Sequence, residues 1–373
     1  MWRVRKPLAT EAGGLHGRFL GIQLARGLAA FAVTIFHGIH GIALEQYVGH
    51  APFQWFFSFA HAGVDFFFVL SGFIIYIAHH ADVGDLSALP RYVWRRATRI
   101  YPIYWVITGF VIILIIFRPG GEHELDAAHI LNSVLLLPQS RPPLIGVAWT
   151  LEHEMLFYLA FSSLIIGRRL GAIVFIGWTC LIVAVTVVRP SNELLLFVGS
   201  SYHFQFFMGV AAGHAVLNRS ISRPQHLALA GALGFFLVGM IENAGLIIWA
   251  GVASQLLFGA TAACIVFGLA VAEKKGQLRV DPFSVFLGDA SYVLYLTHTI
   301  TIGLTARVLM IAGVVKLLAD WIVLIIVVAS AVIVACLIHA FIERPLASVL
   351  AKLGRNYVYA PRQRPELQPK SIS

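Results

Sequence analysis

Apolar stretches close to 20 residues long recur along the whole sequence, and this feature constrains the fold more than any other. A helix needs about 20 consecutive apolar residues to cross the hydrocarbon core of a bilayer. A chain that is 59% hydrophobic and only 12% charged also lacks the charge to cover a soluble protein of this size. We therefore predict an all-α fold, a polytopic integral membrane bundle of about ten transmembrane helices.

The positions of the predicted spans follow from where polar residues interrupt the apolar stretches. A membrane domain then covers residues 1–346, and residues 347–373 form a polar, proline-containing tail that we expect to be flexible and cytoplasmic. The ten predicted spans are 19–40, 55–79, 101–117, 143–166, 171–188, 199–217, 227–241, 246–270, 286–310 and 320–341.

Basic residues are distributed very unequally over the two sides that these spans define. Most of the 27 Lys and Arg residues fall on the side of the termini, Arg26 and Arg307 lie within spans, and the other side holds only Arg118, Arg141, Arg189 and Lys316. By the positive-inside rule this predicts a multi-pass protein of the bacterial inner (cytoplasmic) membrane with both termini in the cytoplasm. The net charge of +9 thus reflects topology and membrane lipid, and we expect no nucleic-acid partner.

The first predicted span carries two polar residues that are expensive to place in a membrane, Arg26 and His37. They are about three helical turns apart, so both lie near one face of the helix, about 16 Å apart along its axis. They could line an internal polar cavity, or each could reach towards the nearer membrane surface. Spacing alone leaves these alternatives even.

The remaining polar residues of the spans sort by depth. Imidazoles and carboxylates lie towards the outside, whereas guanidinium groups lie towards the cytoplasm. The outer set is His37, His61, Asp65, Glu152, Glu154 and His298, and the inner set is Arg26, Arg96 and Arg99. Guanidinium groups suit a phosphate-bearing ligand, and a histidine with a carboxylate suits proton abstraction from a hydroxyl.

Each of these features also has a plainer explanation. Arg96 and Arg99 could be positive-inside anchors only. His61 and Asp65, one helical turn apart and able to pair, could be a structural pair. Ser71, followed by Gly72, could serve close helix packing only.

The combination of motifs resembles the membrane-bound acyltransferase family 3, and within it the exopolysaccharide O-acetyltransferases of the ExoZ type. The similarity runs over roughly residues 19–346. Its motifs are Arg26 with His37, FFFVLSGF at 66–73, RATRIYP at 96–102, WTLEHEMLFY at 149–158, SYVLYLTH at 291–298, and Glu343-Arg344-Pro345. The sequence departs from the family pattern at Glu152-His153, where a neutral pair is more usual, and this leaves open whether Glu152 or Glu154 is the working carboxylate.

The resemblance implies transfer of an acetyl group from cytoplasmic acetyl-CoA to a sugar hydroxyl of a polysaccharide or lipid-linked glycan. It implies no bound cofactor and no metal. His37 would act as general base or as a transient acyl carrier, and Glu154 would orient it. The expected donor-binding residues are Arg26, Arg96, Arg99 and Tyr101, and the other expected cavity residues are Asp65, Ser71, Glu152, Ser291, Tyr292 and His298.

A secondary transporter is the alternative function, because transporters also carry charges within the membrane. Many transporters show internal repeats of their span pattern. The motifs of the first four spans have no counterparts in spans six to nine, which favours the acyltransferase. A purely structural subunit would not need so many ionisable residues at membrane depth.

Overall fold

The structure is a computed structural model, and it describes residues 19–117 and 125–357. Within this part of the chain all regular structure is helical. The α-helices are α1 (Leu20–Ile42), α2 (Gln54–Phe57), α3 (Gly63–His79), α4 (Leu89–Ile116), α5 (Ala127–Leu135), α6 (Trp149–Ile166), α7 (Arg168–Val188), α8 (Glu193–Val198), α9 (Tyr202–Asn218), α10 (Pro224–Asn243), α11 (Val252–Lys274), α12 (Pro282–Ile311), α13 (Asp320–Ile338) and α14 (Arg344–Tyr357).

Helices α1 and α12 lie side by side and run in the same direction. A Cβ atom on Gly288 would stand only 2.0 Å from the carbonyl oxygen of Gln23, so the two backbones are in direct contact there. Helix α13 runs back along them, and His339, the residue after its end, packs against the ring of Phe286 in the first turns of α12. The end of the bundle where α1 begins and α13 ends is called the terminal face below, and the opposite end the far face.

Helices α3 and α9 form a second close crossing that also depends on glycine. A Cβ atom on Gly72 would stand 2.0 Å from the carbonyl oxygen of Phe206, and one on Gly209 would stand 1.9 Å from that of Val69. Small residues allow membrane helices to approach this closely and to gain packing contacts. Of the two explanations for Ser71-Gly72, the structure supports close packing for Gly72, while Ser71 has the separate contact described below.

A valine at position 209 is expected to destabilise the protein by about 2 kcal/mol or more, because α3 and α9 must separate to accommodate it. Gly177 supplies the matched control: it lies in α7, and nothing stands within 4 Å of its Cβ position. Thermal unfolding of both variants in detergent would show Gly209→Val melting well below Gly177→Val. Equal melting temperatures would contradict the close crossing.

Nine helical runs in the described part of the chain are long and apolar enough to cross a membrane. They correspond to nine of the ten predicted spans. The remaining prediction, 143–166, falls on α6, which begins only at Trp149 and carries Glu152, His153 and Glu154 in its first two turns. These three residues make α6 less apolar than the others, and it is largely enclosed by its neighbours: Phe157 and Phe161 are fully buried.

The junction between α13 and α14 is irregular and lies at the terminal face. Residues His339–Glu343 form one π-helical turn, a feature that is frequent at functional sites. The following α14 includes residues 347–357, so this part of the predicted tail is helical. Residues 358–373 of the tail, Arg118 and the basic residues before Phe19 lie outside the described residues.

Candidate active site

A cavity of about 680 Å³ lies in the half of the bundle nearer the terminal face. It is lined by residues of α1, α3, α4, α6, α12, the α13–α14 junction and the first turns of α14. Among its lining residues the polar and charged ones are Gln23, Arg26, Ser71, Arg96, Arg99, Thr150, Glu154, Tyr158, Asp289, Ser291, Tyr292, Tyr295, His339, Glu343, Arg344 and Ser348. Thus seven of the residues expected from the sequence are brought together here: Arg26, Ser71, Arg96, Arg99, Glu154, Ser291 and Tyr292.

Four arginines line the cavity together with three carboxylates, those of Glu154, Asp289 and Glu343. Arg344 begins α14, and the other three arginines come from α1 and α4. Arg26 extends from α1, and its Nη1 donates to Gln23 Oε1 at 3.1 Å. Arg96 and Arg99 extend from α4, where a spacing of three residues places both on one helical face. The guanidinium of Arg99 lies 5.5 Å from the centre of the Tyr292 ring, and its Nη1 is 3.6 Å from Glu343 Oε1. A guanidinium group in such a cavity can bind a phosphate through two parallel N–H···O hydrogen bonds.

Glu154 provides a carboxylate that two hydroxyl groups hold in place. The Ser71 hydroxyl donates to its Oε1 at 2.8 Å, and the Tyr158 hydroxyl, one turn further along α6, donates to the same oxygen. Oε2 has no hydrogen-bond partner among the described residues. The carboxylate is therefore held by one oxygen and can accept a hydrogen bond from a ligand with the other.

A pair of histidines lies further towards the far face. His37 Nδ1 is 3.2 Å from His298 Nε2 and 3.0 Å from the Val33 carbonyl oxygen. His298 is fully buried, and its Nδ1 donates to the Leu294 carbonyl oxygen at 3.0 Å. Since Nδ1 of a neutral His298 carries the proton, its Nε2 accepts from Nδ1–H of His37. This arrangement leaves Nε2 of His37 unprotonated, as a general base requires.

An aromatic pair lies between the cavity and the two histidines. Tyr295 lines the cavity, and its ring centre is 5.8 Å from that of Phe67 and also 5.8 Å from that of His298. The Tyr295 hydroxyl donates to the Val147 carbonyl oxygen at 3.2 Å and accepts from Thr150 at 3.0 Å. Phe67 and Tyr295 together are called the aromatic layer below.

The predicted contact between Glu154 and His37 is wrong. His37 has His298 as its side-chain partner, whereas the side-chain partners of Glu154 are Ser71 and Tyr158. The two residues lie on opposite sides of the aromatic layer, and its position depends on how α3 and α12 pack together.

Other expected site residues lie outside the cavity lining. The Tyr101 hydroxyl donates to the Leu135 carbonyl oxygen at 3.0 Å, so this ring faces α5 and not the arginines. Asp65 is buried and accepts from Gln205 at 2.5 Å. Glu152 is 6% exposed, and its Oε1 has no hydrogen-bond partner.

The predicted pairing of His61 with Asp65 is also wrong. His61 lies in the 3₁₀ turn Ser58–Ala62, before α3 begins, so it does not share a helical face with Asp65. Its Nε2 is 2.8 Å from Glu242 Oε2, on α10.

Sequence reasoning missed several cavity residues, and for some of them a signal was present. Tyr158 lies one turn after Glu154 in the same motif, so helical spacing alone places its hydroxyl near that carboxylate. Tyr295 lies within the motif that ends at His298. Gln23 lies one turn before Arg26, and His339 lies one turn before Glu343, so helical spacing from a quoted motif also indicated both of them. Within the described residues there is no group of three His, Cys, Asp or Glu that could hold a metal ion.

Comparison of the sequence with known proteins identifies the family of the chain and one relative. The family model described as an acyltransferase domain, acyltransferase family 3, matches residues 19–340. The chain belongs to the acyltransferase 3 family. It is also 30% identical over 304 residues to the exopolysaccharide production protein ExoZ of Rhizobium meliloti (strain 1021), covering 78% of this chain and 90% of that protein. No solved structure shows a significant match.

The family assignment makes the protein a multi-pass membrane acyltransferase and decides against the transporter alternative. Acyl transfer needs a site for an activated acyl donor and a base for the acceptor hydroxyl. The cavity carries guanidinium groups, and the contact between His37 and His298 leaves Nε2 of His37 with a free lone pair.

Proposed function

We propose that the protein transfers an acetyl group from cytoplasmic acetyl-CoA to a sugar hydroxyl of an exopolysaccharide or of its lipid-linked precursor. The observation that carries this proposal is that two chemically different sites follow each other from the terminal face towards the far face. A cavity lined by four arginines lies near the terminal face, and a histidine pair lies beyond it. The similarity to an exopolysaccharide production protein supports a glycan acceptor.

In this proposal the terminal face is cytoplasmic and the cavity holds coenzyme A. Arg26, Arg96 and Arg99 would bind its phosphates, which carry several negative charges. Oε2 of Glu154 would accept a hydrogen bond from an amide N–H of the pantetheine arm. The thioester would then extend past Tyr295 towards His37, which requires the ring of Tyr295 to move aside.

The chemical step would be direct transfer with His37 as general base. Nε2 of His37 takes the proton of the sugar hydroxyl while the hydroxyl oxygen attacks the thioester carbonyl carbon. The C–O bond forms, the C–S bond breaks, and the proton passes to the leaving thiolate to give free coenzyme A. In the alternative sequence Nε2 first carries the acetyl group and the hydroxyl attacks acetyl-histidine. His298 would hold His37 in the required tautomer in either case.

The test is acetyl transfer by the purified protein, with acetyl-CoA labelled in the acetyl group and glycan extracted from the native strain. We expect label in the glycan and free coenzyme A in equal amounts. In parallel, glycan from a deletion strain should lose O-acetyl groups and regain them on complementation. Unchanged O-acetyl content together with no transfer in vitro would contradict the proposal.

Arg99→Lys is expected to raise the KM for acetyl-CoA about tenfold and to leave the KM for the glycan nearly unchanged. Lysine keeps the positive charge but cannot bind a phosphate with two parallel hydrogen bonds. The KM should rise further in Arg99→Ala. Initial-rate kinetics on reconstituted protein, with each substrate varied, would measure both constants.

Arg141→Lys is the matched control for Arg99→Lys. Arg141 is exposed and pairs with Asp126 at 2.7 Å, away from the cavity. It should show wild-type kinetics. A normal acetyl-CoA KM in both Arg99 variants, at full membrane insertion, would remove Arg99 from the donor site.

A further inference from the structure

A buried histidine outside the cavity contacts one of the cavity arginines. His79, in the last turn of α3, is fully buried. Its Nε2 is 3.4 Å from Nη2 of Arg96, and its Nδ1 is 2.8 Å from Oδ2 of Asp82. Asp82 and His79 do not line the cavity, so they contact Arg96 on the side that faces away from the cavity.

The identity of the partners determines the protonation of His79. A carboxylate only accepts hydrogen bonds, so Nδ1 of His79 carries a proton and donates it to Asp82. A guanidinium only donates, so Nε2 must present a lone pair to Arg96. One neutral tautomer satisfies both contacts. Arg91 donates to Oδ1, the other oxygen of Asp82, and therefore holds the carboxylate in place.

The remaining surroundings of Arg96 direct it towards the cavity. Its guanidinium carbon lies 5.6 Å from the centre of the Tyr158 ring, which also lines the cavity. Tyr92 packs edge-on against His79 at 4.9 Å and donates its hydroxyl to the Tyr158 carbonyl oxygen at 2.7 Å. With Nη2 held by His79, Nη1 has no hydrogen-bond partner among the described residues and is available to a ligand.

We propose that His79 and Asp82 form a positioning pair that holds Arg96 in the orientation needed to bind a phosphate of the acyl donor. This inference rests on the proposed function, because it takes coenzyme A as the ligand of the cavity. A long arginine side chain loses conformational entropy when it binds a ligand, and a side chain that is already held in place loses less. The pair therefore contributes to donor affinity and not to the chemical step.

The test measures binding of coenzyme A to the purified protein by titration, which does not depend on acyl transfer. His79→Asn retains an amide near the position of Nδ1 but does not reach Arg96, and should weaken binding about fivefold. His79→Gln can place an amide oxygen near the position of Nε2 and should stay within about twofold of wild type. The matched control is His214→Asn: His214 is exposed on α9 and bonds to Tyr76 at 2.8 Å, so coenzyme A affinity should not change.

A double-mutant cycle separates positioning from a general structural role. If His79 acts through Arg96, His79→Asn should add nothing to the loss caused by Arg96→Ala. In acyl-transfer kinetics His79→Asn should raise the acetyl-CoA KM and leave kcat within about twofold. Should His79→Asn fail to fold, Asp82→Asn takes its place in the cycle, because it removes the charge that fixes the tautomer of His79.

The possible outcomes distinguish this inference from the proposed function. If the wild-type protein does not bind coenzyme A, both are contradicted. If Arg96→Ala weakens binding while His79→Asn and Asp82→Asn do not, the cavity binds the donor but the positioning pair is refuted. The inference would also be overturned if His79→Asn and His79→Gln lost coenzyme A affinity equally, if these losses added to that of Arg96→Ala, and if both variants melted at lower temperatures.

Discussion

His37→Ala abolishes acetyl transfer, to below about 10⁻³ of the wild-type rate, if His37 performs the role proposed for it. The substitution removes Nε2, which takes the proton of the acceptor hydroxyl or carries the acetyl group, and general bases contribute about 10² to 10⁴ to a rate. Coenzyme A binding should be unaffected, because His37 does not line the cavity. Transfer assays and coenzyme A titration on the same preparation would measure both effects.

His40→Ala is the control for this loss. His40 lies one turn further along α1 and makes the same backbone contact, with Nδ1 2.8 Å from the Phe36 carbonyl oxygen. It is exposed and lacks a contact with His298, so its loss should leave transfer near the wild-type rate. Near-normal transfer by His37→Ala at matched expression would refute the catalytic assignment.

Glu154→Gln should lower kcat/KM for acetyl-CoA about 10²-fold, less than His37→Ala lowers the rate. The amide keeps the shape of the carboxylate but is uncharged, so it accepts weaker hydrogen bonds from Ser71 and Tyr158. In the proposed complex it also accepts a weaker hydrogen bond from the donor. Hydrogen bonds to a charged group contribute about 1.5–3 kcal/mol, and about 2.7 kcal/mol corresponds to this factor. Steady-state kinetics with acetyl-CoA varied would test it.

Glu152→Gln tests which carboxylate acts in the cavity. Glu152 is buried two residues earlier in α6 and is not among the cavity-lining residues, and Oε1 has no partner to lose. We expect this variant to retain most of the wild-type kcat/KM. A damaging Glu152→Gln with a silent Glu154→Gln would reverse the assignment of the working carboxylate.

The fold was predictable because the length and apolarity of each stretch suffice to show whether it can span a membrane. Nine predicted spans coincide with helices of sufficient length and apolarity. The exception, α6, shows the limit of this reasoning: Glu152, His153 and Glu154 make the helix costly in lipid, yet neighbouring helices enclose it. Composition along one segment does not reveal which other segments cover it.

Within the site, helical spacing accounts for some placements that the structure shows. Arg96 and Arg99 share a helical face, and both line the cavity. Tyr101 is two residues beyond Arg99, about 200° around the same helix, and this explains why it faces α5 instead. The contact between His37 and His298 depends on the relative register of α1 and α12, which neither segment encodes by itself.

The aromatic layer of Phe67 and Tyr295 has an electrical consequence for the proposed reaction. With the polyanionic coenzyme held on one side of the layer, the acetyl group is the only part of the donor that leaves on the other side. The thiolate keeps the electrons of the broken C–S bond, so the acetyl group moves outwards formally as an acylium with one positive charge. If the hydroxyl proton returns to the thiolate, one positive charge moves inwards for each one that moves outwards, and no net charge crosses the membrane. Turnover would then neither consume the membrane potential nor depend on its sign.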